Sequence, residues 1–218
     1  MWGFAEIVES KNQNLDVGER LFGYFPAANS LVLSPIKISD QSFSDGKEHR
    51  KDLPPVYNNY LRLNGESDYD PSMDPIRALL FPLHITAFCL CDSLEEDQYL
   101  GASQIIIISA SSKTAIGLAQ GLADAKDSPK IIGLTSATNS KFVEDLGCYD
   151  EVISYDQLEE IDYSQGTVMV DMAGNREILG TLHGKLADNM LKCLTVGMTH
   201  WDNKTTAEDA LGQAMLRE

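Results

Sequence analysis

The alternation of apolar and polar residues changes character near residue 72. Before that point, short apolar runs such as Phe4-Ala-Glu-Ile-Val and Ser30-Leu-Val-Leu are separated by turn-forming stretches, among them Leu15-Asp-Val-Gly-Glu-Arg and Phe22-Gly-Tyr-Phe-Pro. Runs this short, broken this often, predict antiparallel strands. Residues 39–72 carry Asp45-Gly46, Pro54-Pro55, Asn64-Gly65 and Asp70-Pro71 in a polar background, which predicts a long irregular excursion. Asp74 followed by Pro75 fits an N-cap with proline at the first helical position. Ile76, Leu79 and Leu80 then mark one helical stretch, and residues 83–94 another.

From Gln104 onward the apolar runs alternate with amphipathic segments. Ile105-Ile-Ile-Ile-Ser109 has no polar face, as expected of a strand covered on both sides by helices. Lys130-Ile-Ile-Gly-Leu-Thr135, Glu151-Val-Ile-Ser154, Thr167-Val-Met-Val-Asp171 and Leu194-Thr-Val-Gly197 repeat the pattern, rich in β-branched residues. Ile116, Leu118, Ala119, Leu122 and Ala123 follow helical spacing between the first two runs; Phe142, Val143 and Leu146 do so between the next two, stopped by Gly147. The sequence therefore predicts an α/β fold with a doubly wound parallel sheet at 73–218, preceded by a β-rich segment at 1–72.

Charge narrows the partners. With 33 acidic against 17 basic side chains the formal charge is −16, a field that repels phosphate backbones and anionic membrane surfaces. No uninterrupted apolar run reaches the roughly 20 residues that span a bilayer, and the start at Met1-Trp2-Gly3 lacks the basic and apolar regions of a signal peptide. The expectation is a soluble, cytoplasmic protein with no nucleic-acid or membrane partner. The four cysteines are too scattered to staple the chain and are expected as free thiols. Cys89-x-Cys91 lies in an apolar stretch where i,i+2 neighbours point to different helical faces, which favours packing over a metal or redox site. His49, His84, His183 and His200 keep none of the short spacings of zinc ligands, so no metal site is expected.

In a doubly wound sheet, ligands sit beyond the carboxyl ends of the strands, which directs attention to the first strand-to-helix turn, Ser109-Ala-Ser-Ser-Lys-Thr-Ala-Ile-Gly117. A dinucleotide fingerprint would place glycines at 112, 114 and 117; only Gly117 is present. Ser112 and Thr114 are small and carry hydroxyls, Ser111 adds another, Lys113 offers a charge, and free amides at the helix N-terminus favour a phosphate. The plainer alternative is an N-cap cluster on a structural helix. A phosphate-binding P-loop fails on both glycines, since Ile107 and Ser112 stand in their place.

The second strand ends at Thr135, where an NAD-binding protein would carry an acidic residue for the adenosine ribose. The sequence there is Thr135-Ser-Ala-Thr-Asn-Ser-Lys141. Nothing acidic repels a 2′-phosphate, and Ser136, Thr138, Asn139 and Lys141 could bond to one, so NADP(H) is favoured over NAD(H). A polar turn capping the next helix is the alternative.

Several stretches carry a family resemblance. They are Ile108-Ser-Ala-Ser-Ser-Lys-Thr-Ala-Ile-Gly, Ile132-Gly-Leu-Thr-Ser, Phe142-Val-Glu-Asp-Leu-Gly-Cys-Tyr-Asp-Glu-Val-Ile-Ser-Tyr155, Trp2-Gly-Phe-Ala-Glu, Gly18-Glu-Arg-Leu-Phe-Gly-Tyr-Phe-Pro, Leu53-Pro-Pro-Val-Tyr-Asn-Asn-Tyr and Val196-Gly-Met-Thr-His-Trp201. Together they resemble the quinone-oxidoreductase branch of the medium-chain dehydrogenases/reductases and, more closely, its offshoot, the domain of unknown function family 2855. The resemblance implies an incomplete GroES-like β-domain followed by a Rossmann domain that binds NADP(H). It also implies a 2′-phosphate held by a Ser after the second strand, a Lys a few residues on and a Tyr ending the third strand. Ser136 and Tyr155 take two of these positions; Asn139 stands at the Lys position, with Lys141 two residues beyond. The zinc ligands of alcohol dehydrogenases find no match, which implies a metal-independent branch.

The resulting expectation is an NADP(H)-dependent, zinc-independent oxidoreductase, or a remnant of one, that moves hydride to or from a carbonyl or activated alkene of a small-molecule substrate. The alternative is a non-catalytic dinucleotide-binding or subunit-interaction protein; a homo-oligomer is open in either case. No catalytic residue stands out. Tyr57 and Tyr60 are candidate proton donors or packing aromatics, and Tyr24 is a further one. Asp171 approaches a nicotinamide ribose or caps a helix. His200 is a proton-transfer residue or a surface imidazole. Because relatives are longer, the chain is expected to start inside the β-domain and stop before the parallel sheet finishes, leaving apolar surface uncovered.

Overall fold

The computed structural model describes residues 1–197, and the chain divides into two compact units, Met1–Pro82 and Leu83–Glu218. In the first, β1 (Trp2–Glu6), β2 (Arg20–Tyr24), β3 (Pro35–Ile36), β4 (Ser42–Asp45) and β5 (Asn59–Arg62) form an antiparallel sheet in the order β1-β2-β5-β4-β3. The register sets Trp2 opposite Tyr24 and Phe4 opposite Phe22. Alternate residues share a face, so aromatic rings collect on one side: Trp2, Phe4 and Phe81 lie 5.8, 4.9 and 4.9 Å from Phe22. Leu21, Leu15, Phe43 and Tyr60 form the core of the other side.

Two expectations for this unit are corrected. Ser30-Leu-Val-Leu is not a strand; Leu31 and Val32 are exposed, and β3 forms later. Residues 39–72 contain β4 and β5, and β5 is the middle strand of the sheet. The cause is a buried polar network that hydropathy does not show. Arg50 is buried, donating to Asn58 Oδ1 at 2.9 Å and Tyr60 Oη at 2.7 Å, with Asp45 at 3.9 Å. Asn58 returns a bond to the Arg50 carbonyl at 2.8 Å, and Asp45 accepts the Ser34 amide at 2.8 Å. Satisfied buried groups of this kind fix a loop as firmly as apolar packing does.

Helix α1 (Asp74–Glu96) is a single helix with Pro82 inside it, where the sequence predicts two stretches. Proline removes one helical bond. Packing at both ends outweighs it, through Phe81 against Trp2 and Phe22 in the first unit and Ala87, Cys91 and Leu94 in the core of the second. The cap also differs. Asp70 accepts the Ser72 amide at 2.9 Å with Pro71 next to it, whereas the Asp74 carboxylate takes Arg20 at 2.5 Å and the Tyr69 hydroxyl at 3.1 Å. By length and composition Pro71–Glu96 is apolar enough to cross a membrane. Counting uninterrupted apolar runs misses this because Arg77, His84 and Thr86 interrupt the stretch.

The second unit holds β6 (Gln104–Ile108), α2 (Lys113–Asp124), β7 (Lys130–Thr135), α3 (Ala137–Asp145), β8 (Glu151–Ser154), β9 (Thr167–Asp171), α4 (Arg176–Leu186) and β10 (Met190–Thr195). The strands are parallel in the order β10-β9-β6-β7-β8, so the chain reverses direction across the sheet between β6 and β9. Every residue of β6 and β9 is buried. Ile105 and Ile107 meet Ala87, Leu118 and Leu122 on one face, and Ile106 and Ile108 meet Leu179 and Leu182 on the other. Each such isoleucine contributes about 1.5–3 kcal/mol, which explains the absence of polar alternation. The last strand begins four residues earlier than expected (190 against 194), with a bulge between Met190 and Lys192. Gly147 ends the α3 region at φ +69°, as its position predicts.

Candidate functional site

The turn after β6 brings together most of the groups that the sequence singles out. Ser109 lies at φ +63°, a left-handed conformation uncommon for a residue with a side chain. Its amide donates to the Tyr155 hydroxyl at 3.0 Å, and its carbonyl accepts the Ser112 amide at 2.9 Å. The next residue is held as closely: the Ala110 amide donates to the Leu134 carbonyl and its carbonyl accepts the Tyr149 hydroxyl, both at 2.9 Å. Asn139 Nδ2 donates to Ser111 Oγ at 3.1 Å. Ser112 Oγ accepts the Ala115 amide at 3.3 Å, so Ser112 is the N-cap of α2, in line with the plainer of its two readings.

Beyond this cap, the amides of Lys113 and Thr114 open α2 and have no acceptor among the described residues, the usual state of a helix's first turn. With the helix dipole they present positive potential at the carboxyl end of the central strand. Lys113 is exposed and Thr114 half-buried. Gly117 faces α1: a Cβ there would lie 3.1 Å from the Ala87 Cβ, so its smallness serves helix packing.

The second turn is more open. Thr135 is buried, and Ser136 occupies the N-cap position of α3 without a side-chain capping bond, leaving its hydroxyl uncommitted among the described residues. Lys141 is exposed and paired with Asp145, which raises its pKa. Tyr155 follows β8, half-buried, and burial raises its pKa above the ordinary phenol value, keeping the hydroxyl protonated. Burial does the same to Tyr149.

Gly133 and Tyr149 are the residues that sequence reasoning passed over. A Cβ on Gly133 would come within 2.8 Å of the Tyr149 ring and 3.0 Å of the Ala110 Cβ, so only glycine lets Tyr149 reach the turn. A glycine inside a strand is the available signal, since it marks a close approach.

The remaining candidates separate. The Asp171 carboxylate is fully buried and shapes its own turn, accepting the Ala173 and Gly174 amides at 2.8 and 3.0 Å. Tyr60 is fully buried, with its hydroxyl between Arg50 and, at 3.3 Å, the Tyr24 carbonyl. Burial raises its pKa. Of its two readings, proton donor or packing aromatic, this burial and these partners fit the packing one. Tyr57 is half-buried, 5.1 Å from the Tyr24 ring. His200, Trp201 and the rest of residues 198–218 lie outside the described residues. All four cysteines are free; Cys89 is exposed, while Cys91 is buried with its thiol pushed up to about 12. A groove of about 280 Å³ lies elsewhere in the unit, lined by Ala125, Pro129, Gly147 and Tyr149 among others.

A parallel sheet of this order, with a helix rising from the end of its central strand, defines a Rossmann-type unit, and an antiparallel unit precedes it in the chain, the pairing found in the fold of the medium-chain dehydrogenases/reductases. The chain belongs to the family described as Protein of unknown function (DUF2855), whose model matches residues 1–217. Among solved structures it is similar to the D-arabinose dehydrogenase from Sulfolobus solfataricus, at 16% identity over 90% of this chain and with a TM-score of 0.54. It is also similar to galactitol-1-phosphate dehydrogenase from Escherichia coli, at 16% identity over 98% of this chain and with a TM-score of 0.52. The chain spans 63% of the length of each. No curated protein matches it.

Proposed function

We propose that the protein is an NADP(H)-dependent, zinc-independent oxidoreductase that moves a hydride to or from a carbonyl or activated alkene of a small molecule. The observation that supports it is the turn at 109–114, which ends the central strand and leaves the Lys113 and Thr114 amides without protein acceptors. Those amides and the Thr114 hydroxyl would hold a pyrophosphate. Ser136, whose hydroxyl is uncommitted, and Lys141 would take the 2′-phosphate, in a turn with no acidic residue before Glu144. NADP(H) supplies the hydride when bound; the protein's part is to hold and orient it. The two solved structures described above are named dehydrogenases, the chemistry this reading extends to the chain. Residues 1–72 serve as the β-domain and 73–218 as the nucleotide domain of a soluble, cytoplasmic enzyme, with Tyr57 as the candidate acid.

Calorimetric titration tests the reading. NADPH is expected to bind more tightly than NADH, and Ser136→Ala to weaken NADPH about 3- to 10-fold, the worth of one hydrogen bond, with NADH unchanged. If neither cofactor binds, to this chain or to one extended to family length, the reading fails. NADPH consumption with a quinone, enal or aldehyde is expected; binding without consumption of any would make the protein a non-catalytic binder.

A further inference from the structure

We propose that Tyr155 is a positioning residue of this site: it holds Ser109 in the left-handed conformation that glycine would adopt unaided, and thereby shapes the pyrophosphate turn for NADPH and NADH alike. The inference rests on the dinucleotide reading and changes the part of Tyr155 within it, from a contact of the 2′-phosphate to a brace of the turn.

Three observations carry it. Ser109 pays the steric cost of a Cβ at φ +63°, and a residue persists there only when its surroundings fix it. Both its backbone groups are fixed, the amide by Tyr155 Oη at 3.0 Å and the carbonyl by the Ser112 amide at 2.9 Å. The Tyr155 ring is no free arm, since it packs against the buried cluster of Ile108, Leu134 and Ile153. The hydroxyl oxygen accepts the Ser109 amide while its own proton stays available to donate, so a 2′-phosphate contact would add to the brace rather than replace it and would show as extra weakening of NADPH. Glycine takes a positive φ without strain; here a phenol just after the third parallel strand holds a serine there.

The test is a double-mutant cycle on cofactor affinity, read by NADPH and NADH fluorescence at a temperature where every variant is folded. Tyr155→Phe keeps the ring and removes the brace. It is expected to weaken both cofactors by the same factor, about 3- to 10-fold. Ser109→Gly removes the need for the brace, so in that background Tyr155→Phe should cost less than about 2-fold. A loss of global stability alone would lower the melting temperature without this coupling. Weakening of NADPH alone, or of neither cofactor, overturns the proposal. If the unmodified protein binds neither, the dinucleotide reading itself has failed. Should Tyr155→Phe not fold, hydrogen exchange of the Ser109 amide in the unmodified protein decides: protection that persists with NADPH supports the brace, and protection lost with NADPH but kept with NADH overturns it.

Discussion

His183 lies in the last turn of α4 with its Nε2 buried and without a hydrogen-bond partner among the described residues. Burial lowers its pKa. The folded protein therefore prefers the neutral imidazole more than the unfolded chain does. The stability this group contributes is full above the unfolded value of about 6.5 and is lost as the pH falls below it. Thermal melts should show the unmodified protein losing more stability between about pH 7.5 and 5.5 than His183→Gln, which has nothing to protonate there. Equal losses would mean that carboxylates alone set the acid limit. Single residues also mark where the sequence was hardest to read. Arg50, Asn58 and Asp45 look like loop residues, yet all three are buried. A polar side chain looks the same in a sequence whether it faces water or a partner eight residues away.

At the scale of elements, the turn from α1 to β6 is the most strained stretch of backbone described. Gln98, Tyr99 and Leu100 take φ values of 51°, 51° and 56° in succession before Gly101 at 71°. Tyr99 is buried in the core, which anchors the turn, whereas Leu100 is exposed. Left-handed backbone costs a residue with a Cβ about 1–2 kcal/mol, part of which glycine returns as entropy in the unfolded chain. Leu100→Gly should accordingly raise stability by up to about 1 kcal/mol, measured by the denaturant midpoint; a loss would show that the leucine side chain matters more than the strain. The parallel strands were legible because burial on both faces leaves an uninterrupted apolar run. Strand β5 was not, because Asn59 and Arg62 flank its two apolar residues. For the site, spacing located the turn at 109–117 and the Ser112 cap, but no local pattern announces that Tyr155, Asn139 and Tyr149 reach it from elsewhere in the chain.

Across the whole molecule, α1 exposes Ile76, with Leu79 and Leu80 three and four residues on, and further along Phe88. Large exposed patches bind apolar probes. Replacing Leu79 and Phe88 by Gln should lower binding of a hydrophobic dye while leaving the melting temperature within a few degrees; an unchanged dye signal would place the accessible surface elsewhere. The stitching of the turn after β6 bears on how the loop could be changed. Its shape is a joint property of Ser109, Asn139, Tyr149 and Tyr155, with Gly133 making room. Glycine at 111 or 112 would leave the Asn139 side-chain amide or the Ala115 backbone amide without its present hydroxyl partner, so converting the turn to a glycine-rich loop one position at a time should be unfavourable at those steps. Any redesign of this loop therefore has to alter Asn139, Tyr149 and Tyr155, far along the chain, together with the turn itself.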